Sequence, residues 1–141
     1  MSFVISIDPG RIKSGLILVD LNLGIVIDAQ VVIDKNVIPI IEKWKHKNQI
    51  EIIYLGNGTS SNYWRSKLNN IARIEVLEEY GTTILARDRY WELSPPGWLI
   101  KWIPRKLLIP SQPLDAIAAL VLLERHLDIT LGWEAKMNFK I

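Results

Sequence analysis

The chain has 141 residues, 49% of them apolar, no cysteine and a net charge of +2. That length and apolar content fit one domain with a real core. The lack of cysteine excludes a disulfide framework and any thiolate metal site, and the charge is too mild to indicate a nucleic-acid binder by itself. No apolar run is long enough to span a bilayer, and the N-terminal run is broken by Asp8 and lacks a basic leader, so the expectation is a soluble cytoplasmic protein with no membrane partner.

Residues 2–8 read as a first strand that runs straight into an acid and the turn Asp8-Pro9-Gly10. Residues 15–21 and 25–33 read as two more strands joined by Asn22-Leu23-Gly24, and such short turns between apolar runs predict an antiparallel meander. Asp34 is placed to cap a helix whose apolar positions are Val37, Ile38, Ile41 and Trp44, with Pro39 near its start. A fourth strand, 50–55, ends in Gly56-Asn57-Gly58, a pair of glycines that lets backbone approach a ligand closely. Thr59, Ser60 or Ser61 can cap the helix carrying Tyr63, Trp64, Leu68 and Ile71. A fifth strand, 74–77, ends in Glu78-Glu79, and a helix follows from Thr82 toward Trp91.

The segment 92–113 holds Pro95, Pro96, Pro104, Pro110 and Pro113 among its tryptophans, so it reads as a Trp/Pro-rich surface loop with no long helix or central strand. The last helix starts near Asp115 and is apolar nearly all round to Leu123, which predicts tight packing on the sheet. Helices between strands 3, 4 and 5 require parallel pairing. The expected architecture is α/β: one domain over residues 1–141, with a five-stranded mixed sheet (a three-strand meander plus two parallel strands) flanked by helices.

Ligands of open α/β sheets bind outside the carboxyl ends of the parallel strands. Asp8, Asn57 and the Glu78–Glu79 pair all fall at such ends, and Asp115 follows a loop that can return it to the same edge. Clustered carboxylates repel one another unless a cation neutralises them. A set of hard oxygens without His or Cys selects Mg²⁺ or Mn²⁺. Two such ions roughly 3.5–4 Å apart activate water and stabilise the leaving oxygen in phosphodiester cleavage. Each acid also has a plain structural role: Asp8 as a turn former, Glu78 and Glu79 as a solvated strand end, Asp115 as a helix cap. His46 and His126 lack ligand-spaced partners and read as surface residues.

These acids carry a resemblance. Asp8-x-Gly10-x-x-Lys13-x-Gly15, Leu55-Gly56-x-Gly58-Thr59, Glu78-Glu79-x-x-Thr82-Thr83 and Asp115-Ala116-x-Ala118-Ala119 are similar to the YqgF branch of RNase H-like nucleases. That branch comprises Holliday-junction-resolvase relatives linked to trimming of ribosomal RNA precursors. The resemblance spans about residues 2–123. It implies an RNase H-like fold, Asp8, Glu79 and Asp115 as catalytic carboxylates, and Asp8, Glu78, Glu79 and Asp115 as the metal-binding set, with Glu79 matching the second acid of the family's Asp-Glu-Arg motif. The departures are Tyr80 in place of that Arg, the Gly56-Asn57-Gly58 loop, a longer Trp/Pro-rich segment, and one acid at the last helix where the RuvC branch carries two.

Lys13, Arg87, Arg89, Lys101, Arg105 and Lys106, interleaved with Trp98 and its neighbours, are the expected phosphate and base contacts, although the tryptophans equally suit a core cover. The leading expectation is thus a Mg²⁺-dependent nuclease for a DNA junction or structured RNA, for which a two-fold junction favours a homodimer. The alternatives are a binding protein of the same fold without catalysis, and an ATP-binding domain of the actin/sugar-kinase type.

Overall fold

The computed structural model describes residues 2–58, 60–94 and 113–135. Strands β1 (Phe3–Asp8), β2 (Lys13–Asp20) and β3 (Ile25–Ile33) form the meander. A 3-10 turn (Asp34–Asn36) leads into α1 (Val37–Lys47), followed by β4 (Ile50–Gly56), α2 (Ser61–Leu68), β5 (Arg73–Leu77), α3 (Thr82–Leu93), α4 (Asp115–Leu127) and β6 (Gly132–Trp133). The sheet order is β5-β4-β1-β2-β3-β6. β1–β2 and β2–β3 are antiparallel, while β1–β4 and β4–β5 are parallel, as the order of helices and strands requires.

The described residues therefore form a six-stranded mixed sheet with four α-helices, not the five strands expected. The additional strand, β6, is two residues long and pairs in parallel with β3 at Ile25–Val26. A pair of residues carries no periodicity, so nothing in the sequence marks it.

Alternation along β1 sorts its side chains between two cores. Ile5 and Ile7 pack with Val37, Ile41 and Trp44 of α1 and with Trp64 and Leu68 of α2. Val4 faces the other way, onto Ala116, Ala119, Leu120 and Leu123 of α4. Ser6 shares that face, where its hydroxyl donates to the Ala119 carbonyl at 2.8 Å. By the same alternation Asp8 opens onto the α4 side of the sheet. α4 is apolar all round because it has neighbours on two sides: the sheet, and α3 through Ala86, Tyr90 and Trp91 packed on Ile117, Ala118 and Val121. Each large apolar side chain buried this way stabilises the fold by about 1.5–3 kcal/mol.

The expected caps are corrected. Ser60 holds the N-cap position of α2 without a side-chain cap; its hydroxyl donates instead to the Gly10 carbonyl at 3.4 Å, tying the loop after β4 to the turn after β1. Asp34 lies in the 3-10 turn, and Asn36 holds the N-cap position of α1. α3 runs through Leu93, so the start of the expected 92–113 loop is helical. Residues 95–112 of that segment lie outside the described residues.

Candidate active site

Asp8 and Gly15 are register partners across β1 and β2. The turn between them is tight: the Gly10 amide donates to Ser14 Oγ at 3.4 Å, and a Cβ on Gly10 would overlap the Lys13 carbonyl. A Cβ on Gly15 would overlap the Asp115 carbonyl, so the first residue of α4 lies directly against the β2 backbone. Glycine at 15 thereby seats Asp115 beside the strand end that carries Asp8. Leu114, not Asp115, holds the N-cap position. The Asp115 carboxylate instead meets Lys13 Nζ at 3.5 Å, with side chains 38% (Lys13) and 23% (Asp115) exposed. Partial exposure keeps such a pair weak, about 0–1 kcal/mol.

Glu79 arrives from the loop between β5 and α3. That loop ends at Gly81, whose φ of 65° and ψ of 17° are left-handed, a conformation open to glycine at no steric cost. The Glu79 carboxylate lies where a Cβ on Gly56 would be, and its Oε2 would be 3.4 Å from a Cβ on Gly58. The glycine pair after β4 thus admits a close approach, as expected, but what approaches is the chain's own Glu79.

Asp8 and Glu79 share this recess. Burial first, then hydrogen-bonding contact with Glu79, then the charges of Glu79 and Asp115, push the Asp8 carboxyl up from 3.8 to about 9. Glu79 Oε1 is buried with no donor facing it. A proton on Asp8 relieves the repulsion between the two carboxyls; a hard cation would do the same. Among the described residues, no group of three or more acids or histidines is arranged to hold a metal ion as it stands.

The remaining expected residues are distributed as follows. Glu78 is exposed and lines a separate groove with Glu75, Leu122, Arg125 and His126, apart from the Asp8–Glu79 recess. His126 bonds Glu75 Oε1 at 3.2 Å and packs against Tyr54. Arg87 is exposed on α3 beside Thr83, Ile84 and Asp88. Arg89 is committed to structure: its guanidinium donates to both Glu124 oxygens at 3.0 Å, to Glu92 at 3.1 Å and to the Leu131 carbonyl at 2.9 Å. Trp98, Lys101, Arg105 and Lys106 lie outside the described residues.

One residue that bonds the loop carrying Glu79 went unread in the sequence. Arg125, in the last turns of α4, donates to the carbonyl oxygens of Glu78 (3.2 Å) and Tyr80. Its neighbours Glu124 and His126 make it look like an ordinary charged helix end, and main-chain carbonyl acceptors leave no trace in a sequence.

No protein-family model matches the chain, and no curated protein matches it. Among solved structures, the chain is similar to T. thermophilus RuvC in complex with Holliday junction substrate, at 13% sequence identity and a TM-score of 0.47, over 89% of this chain and 96% of that one.

Proposed function

We propose that this protein is a divalent-metal-dependent nuclease that hydrolyses phosphodiesters in structured nucleic acid, of the Holliday-junction or ribosomal-RNA-precursor kind. The observation that carries the reading is the convergence of Asp8 and Glu79, both half-buried, from separate elements, with Asp115 brought beside Asp8's strand end through Gly15. An RNase H-like nuclease of the YqgF branch would place its acids on these same elements, and the resemblance of the motifs around Asp8, Glu79 and Asp115 supports it.

Asp8, Glu79 and Asp115 are the residues that would hold Mg²⁺ or Mn²⁺. The orphaned Glu79 Oε1 and the all-oxygen donor set fit such an ion. When bound, the metal supplies Lewis acidity and an activated water for in-line displacement at phosphorus. Asp8 must give up its proton to serve as a ligand, and burial beside Glu79 makes that proton hard to lose without a cation. Lys13 steadies Asp115 and presents a positive charge at the rim, where a substrate phosphate is expected. Arg87 is an exposed cation for further backbone contact.

The test is cleavage of a four-way DNA junction and a hairpin RNA with Mg²⁺ and with Mn²⁺, with Asp8→Asn in parallel. Wild type should cut at least one substrate and Asp8→Asn neither; equal cutting by both would exclude the metal role of Asp8. A second reading, a nucleic-acid-binding protein that does not cut, is favoured by the lack of a ready three-ligand cage among the described residues and by the single acid opening α4. It predicts salt-sensitive binding of both substrates with no metal-dependent products.

A further inference from the structure

α4 touches, at its two ends, two of the segments that deliver the acids. Asp115 opens the helix against Gly15 of β2, while Arg125 lies in its last turns and turns back to the β5–α3 loop. There the two Nη atoms of the guanidinium divide their bonds: Nη1 donates to the Tyr80 carbonyl and Nη2 to the Glu78 carbonyl at 3.2 Å. Those carbonyls belong to the residues immediately before and after Glu79. On the far side of Glu79, Tyr80 is 82% exposed, and Gly81 follows in the left-handed region.

We propose that Arg125 is a positioning residue for the Glu79 carboxylate: its forked guanidinium fixes the main chain on both sides of Glu79 and so holds the side chain over Gly56, toward Asp8. This rests on the reading of Glu79 as a metal ligand and deepens it. The planar, rigid spread of guanidinium donors suits two fixed carbonyls. A lysine ammonium is a single point of charge and holds two such acceptors less well. Groups that orient a metal ligand without touching the metal typically set affinity by about 10–100-fold.

The experiment is a Mn²⁺ titration followed by electron paramagnetic resonance on wild type, Arg125→Met and Arg125→Lys. Thermal unfolding and amide hydrogen exchange across 78–82 are measured on the same samples. In Arg125→Met, Mn²⁺ affinity should fall by roughly tenfold and exchange across the loop should quicken, while the melting temperature changes little. Arg125→Lys should fall between, and it also serves if the Met variant does not fold. Faster loop exchange with unchanged Mn²⁺ affinity overturns the positioning role while leaving Glu79 as a ligand. A loss of affinity that only tracks a lower melting temperature overturns it as well. Wild type that binds no Mn²⁺ overturns both this inference and the nuclease reading beneath it.

Discussion

Asp115 occupies the space that a side chain on Gly15 would need. Gly15 is itself the register partner of Asp8, so one missing Cβ sets how near the acid of α4 comes to the acid of β1. The overlap is with main-chain atoms of a helix whose next eight residues are buried, and such atoms cannot swing aside. Gly15→Ala should therefore push the start of α4 off the sheet and destabilise the protein by about 1–3 kcal/mol. Urea unfolding read by tryptophan fluorescence checks this; stability equal to wild type would mean that α4 does not approach so closely.

Gly56→Ala is the informative contrast. The atoms in its way are the far end of the flexible Glu79 side chain, which can rotate out of the recess. Stability should change by less than about 1 kcal/mol. Metal affinity and any nuclease activity should fall, because Glu79 can no longer sit beside Asp8. Paired measurements of urea midpoint and Mn²⁺ affinity separate the two effects, and a large stability loss with intact affinity would reverse the assignment.

The raised Asp8 carboxyl gives a pH signature. The Asp8 carboxyl is raised in the folded state from 3.8 to about 9, so its stabilising contribution is complete below pH of about 4 and is lost as pH rises toward 9. In metal-free protein, Asp8→Asn removes that loss. The variant should therefore gain stability over wild type as pH rises from 5 to 9, with a slope no steeper than about 1.4 kcal/mol per pH unit. Urea unfolding in EDTA at pH 5, 7 and 9 tests the difference; curves that stay parallel would show that Asp8 is ionised throughout.

Arg89 and Arg87 should behave oppositely although they are two residues apart. Arg89 and Glu124 are only 15% and 12% exposed, and removing the arginine strands a nearly buried carboxylate. Arg89→Ala should cost about 3 kcal/mol. Arg87→Ala, at an exposed position, should stay within about 0.5 kcal/mol of wild type and show its effect as weaker, less salt-dependent nucleic-acid binding. Denaturation curves and binding isotherms at two salt concentrations distinguish them.

The strands and helices were largely legible because their signals are local. β1 ends at Asp8 and β4 at the glycine loop, as apolar runs and turn residues indicate, and the apolar wrap of α4 follows from having the sheet on one side and α3 on the other. The two-residue β6 and the helix caps were not legible. Ser60 serves a carbonyl fifty positions away in sequence, and no capping rule contains that information. The acids could be nominated from strand ends, but which of two adjacent glutamates turns inward depends on the path of a loop held by Gly81 and Arg125. Arg89 looked like a phosphate ligand beside Arg87 because Glu124 and Leu131 come to it only in the folded chain.

The measurement closest to the central claim is Mn²⁺ binding to wild type and Asp8→Asn, followed by electron paramagnetic resonance at pH 7.5, with circular dichroism on the same samples to establish that both are folded. The account predicts that wild type binds Mn²⁺ and that the asparagine variant binds at least about tenfold more weakly while keeping its fold. Equal affinity in the two proteins, or no binding by wild type, would contradict it.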